Sequence, residues 1–335
     1  MPTRLTSGVG AFVKWRRIAV VLALAAPPLV AAPMFVGEFA VHVLAISAYY
    51  VILAASWNLL AGYAGQFSLA HHTFAGIGAY TSALLCLYAG VPILVGIAAG
   101  VVVAAIVGYG LGTLCLRMRA IYLALATWAF AESVRLLVTV EYPITRGDLG
   151  LKTALLFGTV QPTPYYYLFL ALTLASLLVI WRILHSRVGA YLRAIRDDEE
   201  AASVMGLDTF KWKRAAFVIS AAFAAVAGGF QAHYIGLLSP TPMKFNEMAV
   251  IIIMVISGGF RTFSGPVLGA VFIEFLSEEL RAWGEIRMVL FAILVIVVVR
   301  AYPAGLRGLC IAAAKKLALL APGLTPLLTP RRPED

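Results

Sequence analysis

Apolar residues lie along this chain in long runs, separated by short polar stretches. A helix needs about 20 mostly apolar residues to cross the hydrocarbon core of a bilayer. The pattern therefore predicts an all-α, polytopic membrane helix bundle with eight to ten transmembrane segments. The ten candidate segments are residues 18–36, 39–61, 67–88, 91–116, 120–140, 165–184, 214–238, 247–259, 263–280 and 288–302.

Three of these segments leave alternatives open. Segments 67–88 and 263–280 contain glycine interruptions, and broken backbone is tolerated at membrane depth where protein or water covers it. Either segment can therefore stop short of a full crossing. Segment 18–36 follows the basic residues KWRR, a pattern that also fits a cleaved signal peptide. We expect a retained helix, because its removal would leave an odd number of spans.

The composition supports a membrane protein and suggests its orientation. Only 13% of the residues are charged, whereas soluble domains carry about 25%. Most lysines and arginines fall in connections that are cytoplasmic if both termini are cytoplasmic, as the positive-inside rule requires. We expect cytoplasmic ends over 1–17 and 311–335 and a transmembrane domain over 18–310. The net charge of +10 then reflects topology, and no nucleic-acid partner is expected.

No pattern indicates an enzyme, a metal site or a cofactor. The three cysteines have no ligand spacing. His71 and His72 point about 100° apart on a helix, without a nearby Cys, Asp or Glu to complete a metal site. No Gly-x-Ser-x-Gly occurs, and no Walker A sequence is present to bind ATP.

The fourth segment carries a small residue at every fourth position. Gly96, Gly100, Gly108 and Gly112 share one helix face, with Ala104 between them. Small residues let helix backbones approach closely, and such packing drives helix association in lipid. This face is predicted to be a helix-packing surface.

One ionisable pair lies within a predicted span. Glu132 and Arg135 are three residues apart and so share a helix face. Ionisable residues inside a membrane often mark a functional site. A packing pair that neutralises itself between helices is the alternative, and we prefer it.

Residues 185–214 form the only connection with dense charge of both signs. A short helix is predicted to begin near Asp197 or Asp198, with acidic residues in its first turn, and to end at Gly206. Ala201, Val204 and Met205 would share its apolar face. Such a helix suits docking into a groove of a soluble partner, or it is a solvated connector packed on its own bundle.

Polar residues are concentrated in a second stretch, residues 58–80. Asn58, Gln66, Ser68, His71 and Thr73 occur there among apolar residues and glycines. They are candidates for the lining of a translocation path at an interface with a second permease. The alternative is that they form hydrogen bonds between helices of this chain.

The charged connection resembles a known docking element. Glu200-Ala201-Ala202, followed after three residues by Gly206, is similar to the EAA loop of bacterial ABC-importer permeases. Residues 58–80, 116–132, 192–229 and 255–276 resemble the branched-chain amino acid permease family, in particular its LivM-like branch. Two differences are Ala70, where many members have Gly, and the absence of Ile-x-Leu-Pro after Gly206.

The resemblance implies a function and partners. Glu199, Glu200, Ala201, Ala202 and Gly206 would belong to a coupling helix that docks on an ATPase subunit. The implied partners are a second, LivH-like permease, two ATP-binding cassette subunits that bind and hydrolyse ATP, and a periplasmic amino-acid-binding protein. The chain itself would be a multi-pass permease of the bacterial inner membrane, without a cofactor of its own.

The expected function is import of branched-chain or other amino acids, driven by the partner ATPases. Two alternatives stay open. One is an ABC permease for urea or another small polar solute, and the other is a carrier or channel that works alone. Intramembrane carboxylates typical of an ion-coupled carrier are few, with Glu132 and Glu274 as the candidates.

Overall fold

The computed structural model describes residues 29–115, 118, 120–284, 286–301 and 305–309. The predicted cytoplasmic ends over 1–17 and 311–335 lie outside the described residues, as does most of the predicted first segment. Residues 29–35 of that segment are helical. Whether the first helix is retained stays a prediction.

Apolar runs form helices because a helix satisfies its own backbone hydrogen bonds, which lipid cannot do. The fold class is confirmed: the described residues form a bundle of helices. We label its eleven main helices α1 (Glu38–Asn58), α2 (His71–Ala89), α3 (Ile93–Cys115), α4 (Ala120–Val140), α5 (Pro162–His185), α6 (Arg187–Asp197), α7 (Glu199–Val204), α8 (Thr209–Ile235), α9 (Phe245–Gly259), α10 (Gly265–Glu279) and α11 (Ile286–Ala301).

Five helices among the described residues are long and apolar enough to cross a membrane: α1 with its continuation to Tyr63, α3, α4, α5 and α8. The two glycine-interrupted segments are shorter than their predicted ranges. Helix α2 begins only at His71, and α10 has 15 residues, or about 22 Å of helix. The orientation of the bundle stays a prediction.

Helix α8 lies at the centre of the bundle and packs against α1, α2 and α3. Small residues make the close approaches possible. A Cβ at Gly228 would overlap the carbonyl oxygen of Ala75, and one at Gly100 would lie 2.5 Å from the carbonyl oxygen of Gly78. Helices α1, α2, α3 and α8 therefore form a core that is held by backbone contact as well as by side chains.

Helix α1 also packs against α5 and α10, while α4 has few contacts within the chain. Beyond Asn58 the chain continues as a π-helix over Leu59–Tyr63. It turns at Gly65, whose φ of 71° lies in the left-handed region that favours glycine. We call the end of the bundle that carries residues 186–208 the loop end.

At the opposite end the chain contains a two-stranded antiparallel sheet, Leu151–Lys152 with Leu237–Leu238. The segment after α8 then folds back into the bundle. Its 3-10 turn, Thr241–Met243, brings the buried Met243 against Gly76 of α2. Helix α9 starts from this inward position, which explains why it has only 15 residues.

Candidate functional site

The charged connection folds into two short helices, α6 and α7, each with a side-chain cap. Ser186 accepts a hydrogen bond from Val188 N at the start of α6. Asp198 accepts one from Ala201 N, at 2.9 Å, at the start of α7. These side chains satisfy backbone groups that the first turn leaves without partners. Local sequence therefore determines where both helices begin.

Helix α7 carries an exposed apolar tip. Val204 is 87% exposed and the following Met205 83% exposed, and Ala201 is exposed as well. Ala202 on the other face is buried. Gly206 follows with φ 85° and ends the helical backbone. The tip thus presents large apolar side chains on the most highly charged connection of the chain.

Two polar contacts join this connection to helix α8 and to the end of α1. Lys213 at the start of α8 forms an ion pair with Glu199 of α7, and the Lys213 side chain is only 6% exposed. Arg196 at the end of α6 donates from Nη1 to the carbonyl oxygen of Gly62, at 3.1 Å, in the π-helix after α1. The docking candidate is therefore held from two sides, by α8 and by the end of α1.

The polar residues of the 58–80 stretch lie inside this chain. The His71 ring shares a hydrogen bond with Ser56 Oγ, at 2.9 Å, and lies 3.4 Å from Ser220 Oγ. Ser220 Oγ also donates to the carbonyl oxygen of Ser56, at 2.9 Å. His71 at the start of α2 thus connects α1 and α8 near the loop end.

Asn58 makes a second connection between distant segments. Its Nδ2 donates to the carbonyl oxygen of Thr262, at 2.9 Å, and its Oδ1 accepts from Arg261 N, at 3.1 Å. These bonds join the end of α1 to the turn between α9 and α10. Asn58 is buried and bonds to the backbone of this turn, and its assignment to a translocation path stays a prediction.

The remaining three candidates make local contacts or none. Gln66 Nε2 donates to the carbonyl oxygen of Ala64, at 3.1 Å, and Ser68 Oγ accepts from Ala70 N, at 3.2 Å. Thr73 Oγ1 has no hydrogen-bond partner among the described residues. All three side chains are buried. Their assignment to a translocation path stays a prediction.

The glycine face of α3 lies against α2 and α8. A Cβ at Gly96 would lie 3.0 Å from Ser82 Oγ, and one at Gly108 would lie 2.9 Å from Ala221 Cβ. At Gly112 the nearest atom is Phe217 Cβ, at 3.4 Å. Three of these glycines, Gly96, Gly100 and Gly108, thus sit where a Cβ would crowd a neighbouring helix.

Glu132 and Arg135 pair with each other on α4. Arg135 Nε donates to Glu132 Oε2 at 2.9 Å, and its Nη2 contacts the other carboxylate oxygen. The Arg135 side chain is mostly buried, and Glu132 is partly exposed. This geometry neutralises both charges locally, and whether the pair packs between helices or marks a functional site stays a prediction.

Sequence reasoning missed helix α6 and the two residues that anchor the connection, Arg196 and Lys213. It also missed Ser220, which bonds to Ser56 in the core. The signal for α6 was available: Ser186 precedes an amphipathic run in which Leu192 and Ile195 are buried. No signal in the sequence identified the partners of these contacts, because Gly62 lies 134 residues from Arg196. In the described part of the chain, no group of three His, Cys, Asp or Glu side chains forms a metal site.

Comparison with known proteins identifies the family. The family model described as "Branched-chain amino acid transport system / permease component" matches residues 39–299. The high-affinity branched-chain amino acid permease protein LivM of Salmonella typhimurium is 32% identical over 83% of this chain and 72% of its own. LivH of Escherichia coli is 24% identical over 77% and 91%.

A further relative is named for a different substrate. The fructose import permease protein FrcC of Rhizobium meliloti is 27% identical over 58% of this chain and 58% of its own. No solved structure matches the chain. The family match and the LivM similarity confirm the resemblance seen in the sequence, and the chain belongs to the branched-chain amino acid permease family.

Proposed function

We propose that this chain is one of two permease subunits of a bacterial ABC importer for branched-chain or related amino acids. ATP is hydrolysed on separate subunits, and the charged connection transmits their movement to the bundle. The loop end is cytoplasmic in this proposal, in keeping with the distribution of basic residues. The protein resides in the inner membrane with a second, LivH-like permease, two ATPase subunits and a periplasmic binding protein.

The exposed apolar tip of α7 is the observation that carries the proposal. Val204 and Met205 are among the most exposed large apolar residues described, on a connection rich in charge. An apolar pair on a short helix fits a hydrophobic groove on a partner, and flexible methionine adapts well to such a groove. The surrounding charges keep the connection out of lipid, so the groove belongs to a soluble partner.

The anchoring contacts connect this tip mechanically to two core helices. A force on α7 reaches α8 through the ion pair of Glu199 and Lys213. It reaches the end of α1 through α6 and the hydrogen bond of Arg196 to Gly62. Movement of the docked ATPases would therefore displace the ends of two core helices together. Such a rigid connection is what coupling to ATP hydrolysis requires.

The proposed substrate rests on similarity rather than on a site. LivM and LivH, by name permeases for branched-chain amino acids, align with most of this chain. FrcC, by name a fructose permease, aligns over a shorter part. We therefore favour amino acids and keep another small polar solute as the second candidate.

A matched pair of charge substitutions tests the coupling proposal. Val204→Asp introduces a carboxylate at the α7 tip and is expected to abolish both co-purification of the ATPase subunits and ATP-dependent uptake. The control is Val160→Asp, at an exposed valine outside the charged connection, in the segment between α4 and α5. It should leave co-purification intact.

The same experiment separates the alternatives. A carrier or channel working alone would transport without co-purifying ATPases, and Val204→Asp would not change its rate. Uptake measured with the cognate binding protein and labelled leucine, urea or fructose then distinguishes the substrate classes. ATPase association that survives Val204→Asp and Met205→Asp together would refute docking at this tip.

A further inference from the structure

We infer that a pocket between α1, α2, α8 and the inward-folded segment 236–244 is a binding site for the transported solute within this subunit. The inference rests on the proposed function and deepens it. The polar residues that line the pocket are Tyr49, His72, Tyr80, Gln231 and Ser239. None of them is among the translocation-path residues that the sequence suggested.

Two polar atoms of this pocket have no hydrogen-bond partner among the described residues, His72 Nε2 and the Tyr80 hydroxyl. Both residues are nearly buried, with exposed fractions of 3% and 4%. An unsatisfied buried polar group costs about 1–3 kcal/mol, so two such groups about two turns apart on α2 need an explanation. A polar ligand that bonds to both of them provides one.

The backbone around the pocket is of the kind that forms transporter sites. Met243 reaches Gly76, which lies about 20 Å along α2 from the end of that helix at Ala89. The segment before α9 therefore enters the bundle well below the end of α2. Non-helical backbone is tolerated at such depth where it is covered by protein or lines a cavity. Solute sites of many transporters include non-helical backbone near the middle of the membrane.

The lining defines the class of ligand. It contains hydroxyl, imidazole and amide groups beside apolar side chains, and no Asp, Glu, Lys or Arg. A ligand with net charge would be desolvated there without a counter-charge, at high cost. The pocket therefore fits a small solute of zero net charge with donors and acceptors, such as a zwitterionic amino acid with an apolar side chain.

Met243 is the movable wall of the site. The cavity has a volume of about 20 Å³, which is room for about one or two waters. A solute enters when the Met243 side chain leaves the position against Gly76. Methionine is unbranched and has three rotatable bonds, so its side chain adapts readily to a change in the shape of the pocket.

The test uses the complete transporter in proteoliposomes, with labelled leucine as the probe. Tyr80→Phe removes only the unpartnered hydroxyl, so it is expected to leave the thermal midpoint unchanged or raise it. It should raise the apparent KM for leucine about three- to tenfold, which corresponds to the net free energy of one lost hydrogen bond. His72→Phe keeps a ring beside Tyr50 and should raise the KM similarly.

Tyr166→Phe is the matched control, because its hydroxyl donates to the carbonyl oxygen of Leu29, at 2.6 Å, outside the pocket. It should lower the thermal midpoint and leave the KM unchanged. Normal kinetics in both Tyr80→Phe and His72→Phe would overturn the pocket and leave the proposed function intact. If the wild-type transporter shows no ATP-dependent uptake, both proposals fail.

Discussion

Arg196 Nη1 donates a hydrogen bond to the carbonyl oxygen of Gly62, at 3.1 Å, and so joins the charged connection to the end of α1. Gly62 lies in the π-helix Leu59–Tyr63, and carbonyls at a helix end lack partners within the helix. π-Helical turns are frequent at functional sites. This contact links the proposed ATPase docking helix to the polar stretch that begins at Asn58.

Loss of this contact should uncouple transport from ATP hydrolysis. We expect Arg196→Ala to keep ATPase association and activity but to lower the leucine taken up per ATP hydrolysed, because α6 no longer holds the end of α1. The measurement is the ratio of uptake to phosphate release in proteoliposomes. Arg193→Ala is the control, since Arg193 donates instead to the carbonyl oxygen of Leu184, at 2.9 Å. An equal ratio in both variants would contradict the prediction.

The ion pair of Lys213 and Glu199 should stabilise the connection only modestly. The Glu199 side chain is 45% exposed, so solvent screens the pair, and Glu199→Gln is expected to cost about 1 kcal/mol. Thermal unfolding of the detergent-purified chain measures the change. Glu200→Gln, in the same turn of α7, should shift stability by less than about 0.5 kcal/mol. Identical effects of the two substitutions would mean that the pair is not formed.

We expect the glycines in the α3 face to be required because a side chain would not fit there, and not because the backbone must be flexible. At Gly100 a Cβ would lie 2.5 Å from the carbonyl oxygen of Gly78. We expect Gly100→Ala to force α3 and α2 apart and to destabilise the bundle by about 1–3 kcal/mol.

Gly110, on the same helix, has nothing within 4 Å of its Cβ position. Gly110→Ala should therefore be neutral, or stabilising by up to about 1 kcal/mol through its higher helix propensity. Thermal midpoints of the two variants provide the comparison. Destabilisation of both to the same extent would rule out the steric explanation.

Substitution of His71 distinguishes its two possible roles. Its contacts with Ser56 and Ser220 join three core helices. His71→Ala is expected to lower the free energy of unfolding by about 1–3 kcal/mol, because it leaves buried hydroxyls with fewer partners. Uptake per folded complex should stay near the wild-type value. Lost uptake with unchanged stability would instead favour a place on the translocation path.

Several elements were predictable because their signals are local. Helix α4 follows the predicted range 120–140, and α7 begins after its cap Asp198 and ends before Gly206, as its residues indicate. The family was also recognisable from residues within single segments. The bounds of α2 and α10 were harder to predict, since glycines permit a break in a helix without specifying where the break falls.

The sequence alone determined the helical bundle, the charged connection with its apolar tip and the family, since each depends on residues close together in the chain. Tertiary structure decided the rest. It brought Arg196 within hydrogen-bonding distance of the Gly62 carbonyl oxygen and buried Asn58 and His71 within the chain. It also brought Met243 into contact with Gly76. These contacts join residues far apart in sequence. Their geometry depends on how closely small residues let whole helices pack, which no single segment encodes.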